Sequence, residues 1–354
     1  MNKGKIVKAG MTILVSCLLV LALLAGACTT PTAGTKPTVA QAPAPKGKVY
    51  KIRYSGPLPV TSQTSKEMIA FGKMVTERTE GRVQVETYVS KELYDSFESI
   101  DAIKAGSIEM MNCGITIWSG WNPFFEFANI FFLLASAAQF KKTRDALTTF
   151  LDPLYQEHNA KIVNYYYYGN TGIGSKKRIE KVSDIKGLKI RGTGIACNEN
   201  LKVLGAVPVR MDSSDVYDAL GKKAIDGSVS GWDTLANRKW YEVAEYFVGH
   251  FYFSPYAGWI NLQTWNSLPK DLQDIIIKAG QEIEAASYAA NADAEKGFID
   301  VLSKKGSVHI FTSEELREWT AAVAPIIDSW VKKCAEKGLG DKAQQVIKIL
   351  KESQ

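Results

Sequence analysis

The chain has 354 residues, of which 46% are hydrophobic, and a formal net charge of +6 at neutral pH. Three of these charges belong to Lys3, Lys5 and Lys8, which leaves +3 for the remainder. The hydrophobic fraction is normal for a globular protein, and a charge this small argues against a nucleic-acid-binding protein.

The first segment, residues 1–27, has the pattern of a secretory signal peptide. The basic start is followed by an apolar run from Met11 to Leu24 and then by the small residues Ala25, Gly26 and Ala27. The run is shorter than the about 20 apolar residues that a membrane-spanning helix needs. We therefore expect this segment to direct export and to be removed.

The next residue, Cys28, is a candidate for lipidation. Ala25-Gly26-Ala27-Cys28 resembles the bacterial lipobox, whose Cys becomes the lipidated N-terminus of the mature protein. Residues 29–47 are rich in Pro, Thr and Ala and contain one long aliphatic side chain, so they predict a tether that reaches roughly 50 Å at about 3 Å per residue. The alternative is ordinary secretory cleavage that leaves an unmodified Cys28.

The mature part of the chain alternates between strand and helix patterns. Period-two and helical spacing of apolar residues predict strands at 49–54, 82–89, 109–113, 161–168 and 188–191, and helices at 67–79, 95–103, 215–220, 272–283 and 312–334. This alternation indicates an α/β fold, and the last third is mostly helical.

Small polar residues follow three of the predicted strands. These stretches are Gly56–Thr64, Gly114–Thr116 and Gly169–Lys176. Ligands in open α/β sheets bind outside the carboxyl ends of the strands. We therefore expect the three stretches to be turns that form the walls of one cleft.

The stretch Gly169–Lys176 also invites a nucleotide-binding interpretation. Gly169 and Gly174 are spaced like the glycines of a P-loop, but Ser175 precedes Lys176, whereas the motif needs Lys before Ser or Thr. The inversion misplaces both the ammonium and the hydroxyl, so an NTPase remains a minority alternative.

Side chains typical of catalytic or metal sites do not form local motifs in this sequence. The histidines have no metal-ligand neighbour at i+3 or i+4, and there is no Cys-x-x-Cys or Gly-x-Ser-x-Gly motif. We expect no metal, no cofactor and no enzymatic activity, although a triad from distant positions would escape this reasoning. Three cysteines remain beyond Cys28, namely Cys113, Cys197 and Cys334. We expect them to be buried thiols, and the alternative is one disulfide between two of them.

Arg191 is the clearest candidate for binding an anion. It follows the apolar strand residue Ile190 and precedes Gly192. A planar guanidinium at the end of a strand that faces a cleft binds a carboxylate through two parallel hydrogen bonds.

The surrounding block carries a family resemblance. From Ile52 to about Gln273 the chain resembles the solute-binding subunit of tripartite ATP-independent periplasmic (TRAP) transporters, the DctP family. The most specific part runs from Asp184 to Gly227 and contains DIKGLKIRG, LGAVPVRM and DVYDALGKKAIDG.

The resemblance implies a two-lobed periplasmic-binding-protein-like α/β fold, with strands that cross between the lobes and a helical C-terminal region. We expect lobe I to comprise 48–168 plus about 257–297, and lobe II to comprise 169–256 plus about 298–354. The ligand would be held in the cleft between them.

The resemblance also implies a ligand site. Arg191 would pair with a ligand carboxylate, Trp232 would form an apolar wall, and Asn170, Thr171 and Ser230 would donate or accept hydrogen bonds. Some family members carry a second Arg near the place of Thr171 or an Asn near that of Ser230, so a second ionic contact is not expected here. The remaining candidate contacts are Gln63, Asn112 and Trp118.

The function that follows is an exported receptor that captures a small carboxylate and delivers it to membrane permease subunits, held at the membrane by its lipid alone. We expect it in the periplasm or on the outer face of the cytoplasmic membrane. The alternatives are a binding protein that feeds a signalling receptor and an exported enzyme.

Overall fold

The computed structural model describes residues 47–353, so the predicted signal peptide, Cys28 and nearly all of the tether lie outside the described residues. The described part forms one nine-stranded sheet with helices around it. The strands are β1 (Tyr50–Ser55), β2 (Val83–Tyr88), β3 (Met110–Gly114), β4 (Ala160–Ser175), β5 (Lys189–Arg191), β6 (Val207–Val209), β7 (Gly227–Gly231), β8 (Tyr246–Asn261) and β9 (Ser307–Ile310).

Eleven α-helices connect and cover these strands within the described residues. They are α1 (Gln63–Arg78), α2 (Glu98–Ala105), α3 (Ala137–Gln156), α4 (Ile195–Val203), α5 (Val216–Gly221), α6 (Trp232–Asn237), α7 (Leu262–Ser267), α8 (Lys270–Ser303), α9 (Ser313–Val323), α10 (Pro325–Glu336) and α11 (Gly340–Glu352). The predicted α/β class and the helical C-terminal region are confirmed. None of the described helices is both long enough and apolar enough to cross a membrane.

The sheet runs in the order β2-β1-β3-β8-β4-β7-β5-β6, and β9 pairs with β8. Strands β1, β2 and β3 are parallel neighbours, as are β5, β6 and β7. We call the first group the amino-side strands and the second group the carboxy-side strands. The sheet therefore has two parallel groups, each of which belongs to one lobe.

Two long antiparallel strands, β4 and β8, join the groups. The first residues of β8 pair with β9 and its last residues pair with β3, while the end of β4 pairs with β7. Each strand has 16 residues, so it is long enough to run from one group to the other. This is the crossover that the family resemblance implied.

The predicted turn at Gly169–Lys176 is wrong, because β4 continues through Ser175. Its glycines serve close packing instead of chain reversal. A Cβ on Gly172 would lie 2.9 Å from the Trp232 indole, and one on Gly174 would lie 3.1 Å from Leu235. Register shifts on either side of Gly169, whose φ is +119°, bend the strand without ending it.

Because this stretch is not a turn, the nucleotide-binding interpretation is also wrong. Gly174 and Ser175 are paired on both edges, with β7 and with β8. Lys176 Nζ donates to the carbonyl oxygen of Leu220 at 2.8 Å. A fully paired strand cannot wrap its amide groups around a phosphate.

Several helix boundaries follow from capping chemistry that the sequence displays. The carboxylate of Asp95 accepts hydrogen bonds from the amides of Phe97 and Glu98 at the start of α2, and Gly106 ends that helix at a φ of +72°. The predicted single helix at 312–334 is two helices, α9 and α10, because Pro325 cannot continue the hydrogen-bond ladder of α9 and instead begins α10.

The C-terminal helices contact the amino-side half of the molecule. Trp330 of α10 packs against Phe124 and Phe127, and its Nε1 donates to the carbonyl oxygen of Pro123 at 2.8 Å. These aromatic residues belong to the segment that the sequence assigns to lobe I, whereas α10 was assigned to lobe II. The lobe boundaries therefore stay predictions.

Glu67 on α1 is a buried carboxyl group whose ionisation is linked to folding. Burial raises its pKa to about 7, the nearby charge of Asp233 acts in the same direction, and hydrogen bonds from Gln63 and Ser287 oppose them. An Asp or Glu with a raised pKa contributes stability below its ordinary pKa and loses that contribution as the pH rises through the folded-state value. The difference between 4.5 and about 7 corresponds to about 3 kcal/mol.

We therefore expect the free energy of unfolding to fall between pH 4.5 and 7.5 by more in the wild type than in Glu67→Gln, which cannot ionise. Urea unfolding at several pH values measures this. Glu77→Gln, at an exposed position of the same helix, is the matched control and should follow the wild type. Equal pH slopes in Glu67→Gln and the wild type would contradict the assignment.

Candidate functional site

A cavity lies where the carboxyl ends of the amino-side and carboxy-side strands face each other. The space free of protein atoms there is about 650 Å³, including the part that is open to solvent, and the volume accessible to the centre of a water molecule is about 70 Å³. Its lining includes Gly114 at the end of β3, Arg191 at the end of β5, Ser230 and Gly231 at the end of β7, and Thr171 on β4. This is the position that strand polarity predicts for a ligand in an α/β sheet.

Arg191 is the cation of this cavity. Its residue exposure is 7%, its Nε donates to the carbonyl oxygen of Met211 at 3.0 Å, and its Nη1 donates to that of Val229 at 3.1 Å. In residues 47–353 no carboxylate forms an ion pair with it, and its Nη2 makes no hydrogen bond. The two carbonyl oxygens fix the plane of the guanidinium group, and its Nη2 remains available to bind a ligand.

The electrostatics of Arg191 favour an anionic ligand. Burial lowers the pKa of its guanidinium, and the charge of Asp212 partly offsets this effect. A buried cation without a partner is costly. An anion that enters the cavity and pairs with Arg191 therefore gains a pre-positioned, partly desolvated donor.

Asp212 is the second charged group in the lining. Its residue exposure is 8%, and its Oδ1 accepts a hydrogen bond from the amide of Ser214 at 2.9 Å. Burial raises the pKa of this carboxyl group, but the hydrogen bonds from Ser214 and the charge of Arg191 outweigh burial and lower it overall. Asp212 is therefore ionised at neutral pH.

Aromatic hydroxyl groups form much of the remaining wall. The ring of Tyr168 lies 4.6 Å from that of Tyr256, and its hydroxyl is 2.6 Å from Thr234 Oγ1. Tyr252 is held in the same way, with its hydroxyl 2.5 Å from Thr193 Oγ1. Burial raises the pKa of all three tyrosines, so they are neutral and present hydrogen-bonding groups on flat apolar faces.

Three of the residues expected to bind ligand come together here. Arg191, Thr171 and Ser230 all line the cavity. The hydroxyl of Thr171 donates to the carbonyl oxygen of Tyr252 at 3.1 Å, which leaves its oxygen lone pairs as acceptors. Ser230 lies beside Gly231 on β7.

The two tryptophans expected at the site are in the protein core. Trp232 is 1% exposed and packs under Gly172 and His250, because α6 begins at this residue and the chain turns away from the cavity. Trp118 is fully buried against Tyr155 and Trp259. Neither indole lines the cavity, so the expected apolar wall is formed by tyrosines instead.

The expected polar contacts Gln63, Asn112 and Asn170 also lie outside the cavity lining. The amide and side chain of Asn170 both bind Glu295 on α8, at 2.6 and 3.1 Å. Asn112 is 2% exposed, and its Nδ2 donates to the carbonyl oxygen of Ala257 on the neighbouring strand. These amides hold the crossover strands in place.

Gln63 takes part in a contact between the two halves of the molecule. Asp233, which follows β7, accepts hydrogen bonds at 3.0 Å from the Ser62 hydroxyl and from the Gln63 amide at the start of α1. Arg238 Nη2 donates across the same boundary to the carbonyl oxygen of Pro57 at 3.1 Å. These bonds join the carboxy-side half to the amino-side half next to the cavity.

Asp212 was not among the residues predicted from the sequence to bind the ligand. A usable signal was present, because Asp212 follows β6 and Arg191 ends the parallel neighbour β5. The carboxyl ends of adjacent parallel strands meet at one edge of a sheet. The tripeptide strand Val207–Val209 was too short to be recognised from its pattern.

The cysteines and potential metal ligands form no second site in the described residues. Cys113, Cys197 and Cys334 are free and buried. Burial raises the pKa of the Cys113 thiol, which touches the cavity, to about 12, so it is neutral. Within residues 47–353 no group of three His, Cys, Asp or Glu side chains is arranged to hold a metal ion.

Comparisons of the sequence with known proteins all point to one family. The sequence profile of bacterial extracellular solute-binding protein, family 7 (DctP), matches residues 55–333. The 2,3-diketo-L-gulonate-binding periplasmic protein YiaO of Escherichia coli (strain K12) is 25% identical over 280 residues, which are 77% of this chain and 85% of that protein. The C4-dicarboxylate-binding periplasmic protein DctP of Rhodobacter capsulatus is 24% identical over 289 residues, 80% of this chain and 86% of that protein.

A solved structure shows the same fold. The sugar acid binding protein DctPAm from Advenella mimigardefordensis strain DPN7T, in complex with galactonate, superposes with a TM-score of 0.81 at 23% identity. The match covers 87% of this chain and 99% of that chain. The two-lobed architecture implied by the sequence resemblance is therefore confirmed.

Proposed function

The chain belongs to the DctP family of bacterial extracellular solute-binding proteins, and on that premise we propose that it is an extracytoplasmic receptor for a small organic acid. The receptor would deliver its ligand to the membrane permease subunits of a TRAP transporter. It binds its ligand without changing it chemically.

The observation that carries the proposal is the state of Arg191. A buried guanidinium, fixed by two backbone carbonyls and without an ion-pair partner in the described residues, lines a cavity between the two lobes. Thr171 and Ser230 add hydroxyl groups beside it. A guanidinium group forms stronger, charge-assisted hydrogen bonds with a carboxylate than with an uncharged acceptor.

The named relatives support the ligand class. Their names describe proteins that bind 2,3-diketo-L-gulonate and C4-dicarboxylates, and the structural neighbour holds galactonate. All three are organic acids, although their carbon skeletons differ. The shared feature is a carboxylate, which matches Arg191, the one basic residue in the part of the cavity lining that the structure describes.

A thermal-shift screen of residues 48–354 tests the proposal. We expect one class of carboxylic acids to raise the unfolding temperature, since a ligand at about 100 times its Kd adds roughly 2.7 kcal/mol to the stability of the folded state. Each acid is paired with its uncharged amide, which should give no shift. Equal shifts with acid and amide, or mass spectra that show the acid converted to a product, would contradict the receptor function.

We also propose that the mature protein is anchored through a lipid on Cys28. The support is the sequence of residues 25–47, which joins a lipobox-like site to a tether. Cys28→Ala is expected to release the protein from washed membranes into the soluble fraction. Retention of the wild-type protein in the soluble fraction would show ordinary secretory cleavage instead.

A further inference from the structure

The charges that line the cavity form a pair of opposite sign. Among its lining residues, one is basic, Arg191, and one is acidic, Asp212. Both residues are more than nine-tenths buried. They lie close together, because Arg191 Nε is bonded to the carbonyl oxygen of Met211, the residue before Asp212.

Asp212 has unused hydrogen-bonding capacity. Within residues 47–353 its carboxylate accepts hydrogen bonds from Ser214 alone, and the bond from the Ser214 amide reaches Oδ1 at 2.9 Å. A carboxylate accepts up to about four hydrogen bonds. The structure does not neutralise Asp212 with an ion pair within residues 47–353.

Binding of a ligand carboxylate to Arg191 makes the ionised form of Asp212 less stable. In the empty cavity the charge of Arg191 favours ionised Asp212. When a ligand carboxylate pairs with Arg191, the cavity gains a negative charge, and Asp212 loses much of the attraction that stabilises it. A buried carboxylate in that position requires a donor from the ligand.

On the basis of the proposed function, we propose that the ligand is a small zwitterion, a monocarboxylate that also carries an ammonium group. Its carboxylate pairs with Arg191 and its ammonium group with Asp212. The complex then contains two pairs of opposite charges, and the four charges sum to zero. The site is thus complementary to amino acids and not to dicarboxylates.

Among the described residues that line the cavity, a dicarboxylate would find no second cation for its other carboxylate. The charge of Lys91 also acts on Asp212, but Lys91 is exposed and its Nζ donates to Ser214 Oγ at 2.6 Å. Arg210 stacks over the ring of Phe97, 4.5 Å from its centroid, and lines the neighbouring groove instead of the cavity. A second carboxylate would therefore meet Asp212 and neutral tyrosines.

Matched ligands test this proposal by isothermal titration calorimetry. The zwitterions are alanine, β-alanine and 4-aminobutyrate, which vary the distance between the two charges. The corresponding hydroxy acids and the dicarboxylates malonate, succinate and glutarate complete the set. We expect at least one zwitterion to bind at least tenfold more tightly than every dicarboxylate and hydroxy acid.

Asp212→Asn gives the decisive comparison. It keeps the Oδ1 acceptor for the Ser214 amide but removes the charge, so it should weaken the preferred zwitterion at least tenfold and leave the affinity for plain or dicarboxylic acids unchanged or higher. Asp215→Asn, at an exposed position beside the same turn, should behave like the wild type. Tighter wild-type binding of a dicarboxylate or hydroxy acid, or an unchanged zwitterion affinity in Asp212→Asn, would overturn the proposal.

Arg191→Ala separates this inference from the receptor function. Loss of acid binding in that variant, together with a dicarboxylate preference in the wild type, would overturn the zwitterion and leave the carboxylate receptor intact. If no acid of any class binds the wild type, both proposals fail.

Discussion

Arg191→Ala is expected to weaken binding of the cognate acid by about 30-fold to several thousand-fold, which corresponds to the roughly 2 to 5 kcal/mol that removal of one partner from a buried charged pair costs. The variant would leave the ligand carboxylate in a desolvated cavity in which, among residues 47–353, no other cation forms part of the lining. Calorimetry with the acid identified by the screen measures the effect.

Two controls make the result interpretable. Arg191→Lys keeps the charge but not the planar fork, so it should retain part of the affinity. Arg210→Ala removes a cation that lines the neighbouring groove, and we expect little change in affinity. Native-like circular dichroism of Arg191→Ala confirms that the fold persists. Normal binding by a folded Arg191→Ala protein would show that the carboxylate is held elsewhere.

Gly231→Ala is expected to damage both stability and binding. A Cβ at this position would lie 2.1 Å from Cε1 of Tyr168, far inside van der Waals contact. Tyr168 cannot move freely, because its hydroxyl bonds Thr234 and its ring stacks on Tyr256. Forced overpacking of this kind costs about 1 to 3 kcal/mol.

The same displacement moves a wall of the cavity, so we expect the affinity for the acid to fall at least tenfold. Thermal unfolding and calorimetry measure the two effects on one preparation. Gly120→Ala is the matched control, since a Cβ there has no neighbour within 4 Å, and its stability should change by less than about 0.5 kcal/mol. A Gly231→Ala protein as stable and as tight-binding as Gly120→Ala would contradict the geometry of this wall.

Much of the fold and one residue of the candidate site, Arg191, could be predicted from the sequence. Alternating strand and helix patterns indicated α/β, and the block around Arg191 placed that residue at the end of a strand, where it lies in the structure. Local patterns sufficed because amphipathic periodicity and capping chemistry act over short distances. Asp95 and Gly106, at the two ends of α2, are examples.

The errors arose where distant residues determine a local conformation. The glycines of β4 were interpreted as a turn, but they are required because Trp232 and Leu235 pack against the strand from far along the chain. Trp232 was expected to face the ligand for a related reason. The start of α6 turns its side chain into the core, and no pattern of neighbouring residues shows that direction.

The helix α8 illustrates the same limit. The apolar spacing predicted a helix at 272–283, whereas α8 runs from Lys270 to Ser303. The three buried positions that follow Ile283 are polar, and Glu284, Ser287 and Asn291 bond the backbone or side chains of other elements before the next buried apolar residue, Leu302. Tertiary hydrogen bonds maintain this part of the helix, and hydrophobic periodicity does not detect them.

The central claim is that Arg191 holds a ligand carboxylate between the two lobes, and a crystal structure of the protein with its cognate acid tests it most directly. We predict carboxylate oxygens within about 3.2 Å of the free guanidinium nitrogen of Arg191, with the bonds to Met211 and Val229 retained. A ligand bound outside this cavity, or one whose carboxylate avoids Arg191, would contradict the account.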